Sequence, residues 1–192
     1  MTGEKLRILV VDDDNDILEL VRMTLSPKYE VLTVDDPVTA CDTLDIYEPD
    51  LVILDIMMPK VTGYQIIEFM KKNPKFSHVL VIFLSAKDTA RDIKYGYKLG
   101  ANLYLPKPFQ PERLIRNVET LLSHYEPRKK TLSMRDVSLR LQLKVSLGGT
   151  MPRLPDAPAP EAQPGEQTPF PSRLRRPLAQ EHEEQERKKW IG

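Results

Sequence analysis

The sequence predicts an α/β fold, a doubly wound parallel sheet of five strands, on three observations. Over residues 6–125, strand and helix signals alternate, five of each. The runs LRILVV (6–11), LVIL (51–54) and VLVIFL (79–84) are apolar without a break, as strands covered on both faces require. Finally, Asp12-Asp13, Asp55, Ser85 and Lys107 each stand just past an apolar run, the last after LYL (103–105). Parallel strands would deliver all of them to the carboxyl edge of one sheet, where open α/β sheets bind ligands.

Each element has a local justification. After LRILVV, the stretch Asp12–Asp16 offers a helix cap; Ile17, Leu18, Val21 and Leu25 then recur at helical spacing until Pro27. Val31 to Val34 reads as the second strand. Pro37 suits the first turn of the next helix, whose apolar face holds Ala40, Leu44 and Tyr47. Pro49-Asp50 turns the chain into LVIL. Gly63 precedes a helix carrying Ile66, Ile67 and Met70, which ends near Asn73-Pro74. After VLVIFL, Ala90, Ile93 and Tyr97 mark a helix closed by Gly100. LYL is the fifth strand, and Leu114, Ile115, Val118, Leu121 and Leu122 stripe the fifth helix.

Composition changes beyond residue 126. Residues 1–126 hold 15 Lys+Arg against 20 Asp+Glu, and residues 127–192 hold 13 against 8; nine of the 17 prolines fall in that last third. An acidic domain (1–126) is thus expected before a linker (127–149) and a Pro-rich basic tail (150–192), the tail largely disordered apart from a short helix over 178–190. Within the linker, Val137, Leu139, Leu141, Leu143, Val145 and Leu147 alternate strictly with polar residues, the pattern of an amphipathic strand. The single Cys41 excludes an internal disulfide and reads as a small buried residue. MTGEKLR lacks the apolar core of a signal peptide, and no apolar stretch reaches the roughly 20 residues of a spanning helix, so a cytoplasmic protein with no membrane partner is expected.

The converging side chains suit a divalent cation and a phosphoryl group. Two carboxylates about 4 Å apart repel by about 4 kcal/mol at an effective dielectric near 20, and a cation relieves that. Mg²⁺ favours oxygen ligands and commonly takes one or two carboxylates, waters and a phosphate. A remaining carboxylate can attack phosphorus as a nucleophile, while a hydroxyl and an ammonium bind the phosphoryl oxygens. Singly, each residue has a plainer reading: Asp12 to Asp14 as caps, Asp55 as a turn residue, Ser85 as the cap of a helix near Asp88, Lys107 as a surface lysine. It is their joint placement that points to a site.

The strings ILVVDDD, DLVILDIMMPKVTG, VIFLSAKD and GANLYLPKPF span nearly all of residues 5–124, and there the chain resembles the receiver domain of bacterial two-component response regulators. The resemblance implies the strand order 2-1-3-4-5. It implies that Asp55 is the phosphoacceptor and takes its phosphoryl group from a sensor histidine kinase or phosphotransfer protein. Mg²⁺ would be held by Asp12, Asp13, Asp55 and the backbone carbonyl of Met57. Ser85 matches the switch hydroxyl, Lys107 the phosphate-binding lysine, Tyr104 the rotating aromatic and Pro108 the cis-proline turn. Asp14 matches no ligand and reads as a cap. A downstream protein target would be bound through the face of helix 4, strand 5 and helix 5. Met57 and Lys87 stand two residues after the acceptor and the switch hydroxyl, where the family tunes hydrolysis of the phosphoaspartate. Winged-helix members carry acidic residues before the switch aromatic; here Asn102 and Leu103 stand there, with Ile93, Arg113 and Asn117 where that branch has charged partners. That departure argues against the family's salt-bridged dimer, while a homodimer formed on phosphorylation stays open.

Two rival functions follow from the same residues. An aspartate-nucleophile phosphatase would want a second Asp two residues after Asp55, where Met57 stands, and a substrate-capping domain for which the chain has no room. The expectation is therefore a signalling protein rather than an enzyme. A transcriptional regulator would use the basic tail, but its short cluster of Arg173, Arg175 and Arg176 lacks interleaved aromatics and shows no helix-turn-helix pattern, so nucleic acid is not the expected partner.

Overall fold

In the computed structural model, residues 5–87 and 89–147 are described. Strands β1 (Arg7–Val11), β2 (Glu30–Val34), β3 (Leu51–Leu54), β4 (Leu80–Ser85) and β5 (Leu103–Pro106) form one parallel sheet in the order β2-β1-β3-β4-β5. Helices α1 (Asn15–Leu25), α2 (Ala40–Tyr47), α3 (Gly63–Lys72), α4 (Ala90–Lys98) and α5 (Pro111–Leu122) connect or follow the strands, and a 3-10 turn at Pro37–Thr39 leads into α2. A sixth helix, α6 (Met134–Leu147), follows. Among the described residues, no helix is long and apolar enough to cross a membrane.

Alternation along each strand divides the core. Ile8, Val10, Ile53 and Leu84 face Leu18, Val21, Leu114 and Val118 of α1 and α5. Leu9, Val11, Val52, Leu54, Val81 and Phe83 face the opposite way, among Leu44 of α2 and Ile66, Ile67 and Met70 of α3. Caps set the helix starts. The Asp14 carboxylate accepts from the amides of Asp16 and Ile17, Thr62 and Gln65 form a reciprocal capping box on α3, and Thr89 caps α4. Asp14 is thus a cap, and Thr89, rather than Ser85, serves α4. Gly63 is required by close approach: a Cβ there would lie 2.2 Å from the Asp55 carbonyl oxygen.

The segment over 137–147 corrects the sequence reading: it is helical, not a strand. Alternation alone selects a strand only where a sheet can receive it. Locally the helix is better specified. The Ser133 hydroxyl accepts from the Asp136 amide at 3.3 Å and the Asp136 carboxylate accepts from the Ser133 amide at 3.3 Å, a capping box that S-M-R-D announces in the sequence. Met, Leu, Arg, Gln and Lys, all strong helix formers, dominate the interior. In a helix, the alternating residues split onto two sides. Val137 is buried, and it packs with Met134 and Leu141 into the α2–α3 side of the core; Leu139 and Leu143 are 57% and 51% exposed on the other.

The link between α5 and α6 crosses the amino-terminal end of the sheet. Lys130 Nζ lies 2.6 Å from the wholly buried Asp50 carboxylate and donates to the Glu48 carbonyl at 2.8 Å. The Glu48 carboxylate accepts from the Thr131 amide and hydroxyl. The buried Arg7 guanidinium donates to the Leu132 carbonyl at 2.7 Å, and Lys144 pairs with Asp42 of α2 at 3.0 Å. The expectations for residues 148–192, a disordered tail and a short helix, lie outside the described residues.

Candidate functional site

Strand register builds the site. Val11 pairs with Leu54, so Asp12 and Asp55 leave the sheet side by side, the Asp55 amide donating to the Val11 carbonyl at 2.9 Å. Ser85 pairs with Pro106, which delivers Lys107 next to it; the Lys107 amide donates to the Ser85 carbonyl at 2.9 Å. The strand order puts β1 against both β2 and β3, and a topological switch point of this kind is where doubly wound sheets open a crevice.

At this edge Lys107 reaches over β4. Its ammonium lies 2.6 Å from Asp12 Oδ2 and 3.1 Å from Asp55 Oδ1. Both carboxylates are buried, at 1% and 3% exposure. The other Asp55 oxygen, Oδ2, accepts from the Met57 amide at 2.5 Å. Burial raises the Asp12 carboxyl above its ordinary range, against the opposing pull of Lys107 and of the Asp14 amide. Burial works against the Lys107 ammonium too, but its hydrogen bond to Asp12 and the two carboxylate charges outweigh that and raise its pKa. Desolvation thus prevails at Asp12, while at Lys107 the two neighbouring carboxylates prevail over it. Asp13 stands next door, exposed.

This donor set fits a hard divalent cation. It is all oxygen, it carries more negative than positive charge, and Asp12 is held charged only at a cost. Among the described residues no three acidic or imidazole side chains are gathered tightly enough to hold an ion by themselves. Mg²⁺ tolerates that better than most ions, because it keeps several of its waters.

Ser85, Lys87 and Tyr104 form a second group beside the first. Ser85 is fully buried, and its Oγ accepts from the Lys87 amide at 3.3 Å. Tyr104 is turned inward beside Phe83 and donates its hydroxyl to the Lys87 carbonyl at 2.6 Å. Gly96 of α4 makes room for this: a Cβ there would press on Phe83 at 3.1 Å and on Tyr104 at 3.4 Å. The Lys87 ammonium, by contrast, lies 3.8 Å from Asp92 and over the Tyr64 ring, so its contacts among the described residues turn away from Asp12 and Asp55. Met57 is 57% exposed at the mouth of the site. The Lys107–Pro108 peptide bond is cis.

Asn102, a departure from the family pattern, also has a structural part. Its side-chain oxygen accepts from the Val81 amide at 2.8 Å, and its own amide donates to the Val81 carbonyl, so it fastens β5 to the start of β4. Its position where relatives carry an acidic residue was the available signal.

Comparison with known proteins agrees with this geometry. Residues 8–119 match the family model of the response regulator receiver domain. Response regulator Rre1 of Synechocystis is 35% identical over 126 residues, 65% of this chain and 54% of Rre1. A probable cyclic di-GMP phosphodiesterase of Vibrio cholerae is 34% identical over 150 residues, 78% of this chain and 34% of that protein. The solved chemotaxis protein CheY4 of Vibrio cholerae superposes with a TM-score of 0.59 at 28% identity, covering 62% of this chain and 99% of CheY4. The chain spans from 34% to 61% of the length of the first curated relatives it matches. On the match over residues 8–119, this chain belongs to the response regulator receiver domain family, the signalling proteins of two-component systems.

Proposed function

We propose that this protein is a phosphorylation-dependent switch in which Asp55 accepts a phosphoryl group from a sensor histidine kinase or phosphotransfer protein. The observation that carries the reading is the Lys107 ammonium lying between two buried carboxylates, Asp12 and Asp55, at the carboxyl edge of the sheet. Mg²⁺ would be held by Asp12, Asp13, Asp55 and the Met57 carbonyl, and when bound it neutralises charge that develops on the transferring phosphoryl oxygens. In the transfer, an Asp55 carboxylate oxygen bonds to phosphorus as the P–N bond of a phosphohistidine breaks; the departing imidazole keeps the bonding pair and takes up a proton. Lys107 is already at Asp55 and can follow the new phosphoryl oxygens as a point charge.

The same contacts support a readout. Ser85 and Tyr104 are both tied to Lys87, one to its amide and the other to its carbonyl. If the Ser85 hydroxyl turns to donate to a phosphoryl oxygen, its bond with the Lys87 amide is lost. The loop then shifts, and with it the carbonyl that holds Tyr104. The α4–β5–α5 face changes accordingly, and with it affinity for a downstream protein.

Incubation of the full chain with a small phosphodonor and Mg²⁺ should add one acid-labile phosphoryl group by intact mass. Asp55→Asn should abolish it and Asp13→Ala should strongly impair it. Labelling that persists undiminished in Asp55→Asn would reject the assignment.

A further inference from the structure

A cavity of about 150 Å³ opens at the amino-terminal end of the sheet. Pro49, just ahead of β3, and Val79, just ahead of β4, line it. Asp55 and Ser85 lie at the other ends of those strands, and the six residues of β4 span about 20 Å. The two sites share no residue.

Its walls combine an apolar floor with a basic rim. Phe76 and Val79 are buried in the core, and Lys75, His78, Arg128, Lys129 and Lys130 surround them. Glu48 is the one acidic residue of the lining, and Thr131 holds its carboxylate with an amide and a hydroxyl. Lys130 is committed to Asp50 at 2.6 Å and Lys75 to Asp45 at 2.7 Å. Arg128 and Lys129 have no carboxylate partner among the described residues. The rim therefore carries uncompensated positive charge, close above a hydrophobic surface.

His78 adds an independent mark. Its Nδ1 is buried and has no hydrogen-bond partner among the described residues. Such a group costs stability, and a bound water or ion is one of its standard explanations. Burial holds this imidazole below its ordinary pKa, and the charges of Arg128, Lys130 and Lys71 push the same way against Asp50. An anion would reverse that balance.

We propose that this cavity binds a small organic anion, a phosphate or carboxylate group on a body about the size of a six-membered ring. A cavity near 150 Å³ can hold a benzene ring, which sets the size of the body. Phe76, Val79 and Pro49 would cover it. Arg128 and Lys129, which have no carboxylate partner among the described residues, would bind the charged head, and His78 would supply a hydrogen bond. The ligand would act at a distance from Asp55, and the segment it grips, 128–130, is the one that leads into α6.

The test uses the full chain in EDTA, so that metal-assisted phosphate binding at Asp55 does not contribute. Phenyl phosphate and benzoate are titrated against the histidine ring resonances, with inorganic phosphate and neutral phenol as comparisons; His78→Gln identifies the His78 signal among the three histidines. Phenyl phosphate should shift His78 saturably and raise its titration midpoint. It should bind about tenfold more tightly than inorganic phosphate, and phenol should produce no shift. Arg128→Ala/Lys129→Ala, at two exposed positions, should weaken binding about tenfold, and Asp55→Asn should leave it unchanged. No saturable shift at millimolar phenyl phosphate would overturn the proposal, as would equal affinity in the double variant. Loss of the shift in Asp55→Asn would place the anion at the acceptor site and overturn it too.

Discussion

Asp12 is the residue at which fold and function conflict most directly. Its carboxyl is buried and shares one ammonium with Asp55, and its pKa is raised. A carboxyl raised in this way costs the folded state nothing at pH values below its unfolded pKa, and the full penalty applies once pH exceeds its folded pKa. The metal-free protein bears that penalty increasingly as pH rises above the unfolded value. Asp12→Asn should therefore stabilise it, on the order of 1 kcal/mol, or about 4 °C in Tm at this domain size, while slowing phosphorylation. Thermal melts in EDTA would show it; an equal or lower Tm would contradict the cost assigned to Asp12. Lys107 has the opposite sign: its raised pKa adds stability that is present below its unfolded value and is lost as pH climbs through the folded one. Under the proposed function, Met57 would set a kinetic property. Exposed at the mouth of the site, its thioether is a weak acceptor and orients water poorly, so the phosphoaspartate should be long-lived. Met57→Asn should hasten its decay several-fold. The Lys87 side chain, engaged by Asp92 and Tyr64, should matter less, and unchanged decay in Met57→Asn would exclude position 57 as the control.

At the scale of elements, α6 shows how one pattern can serve two geometries. Alternating leucines would line one face of a strand; wound as a helix, they divide between a docked side and an exposed one. The docked side is anchored by the Lys130–Asp50 pair, which is buried. Removing one partner of such a pair leaves a desolvated charge, so Lys130→Met should cost about 3 kcal/mol or more. Adding Asp50→Asn should recover part of that loss, because the buried charge goes with it. Denaturant melts of the two variants give the comparison, and additive losses would show that the pair is not coupled. Cys41, on α2, is buried, and burial pushes its thiol up to about 12, in keeping with a packing role.

For the molecule as a whole, we infer from the α6 contacts that the folded unit extends past residue 126. A boundary at 126, taken from composition, would leave Val137 and Leu132 outside the core they pack into, and Lys130 away from its partner Asp50. Limited proteolysis of the full chain should then yield a protected fragment that retains α6 and ends beyond residue 147. A chain cut after 126 should melt at least about 4 °C below one cut after 147, since burial of a valine alone is worth about 1.5 kcal/mol or more. A protected core ending near 126 would show that α6 does not hold to the domain in solution.

The sequence by itself determined the α/β fold, its five strands and their helices, and the sheet edge at which Asp12, Asp55, Ser85 and Lys107 emerge. It could do so because those signals are local. Apolar runs mark strands buried on two faces, helical spacing and caps mark the connections, and Asp12, Asp55, Ser85 and Lys107 sit where parallel strands must end. Only the tertiary structure decided which of these residues touch: that Lys107 serves Asp12 and Asp55 together, that Lys87 turns to Asp92, and that Asn102 fastens β5 to β4. It alone decided the form of residues 134–147. Period-two alternation is compatible with a strand or with a two-sided helix, and the choice rests on Ser133 and Asp136 capping the turn and on α2 offering Val137 and Leu141 a surface. Contacts between residues distant in sequence make that surface, so no local pattern records it.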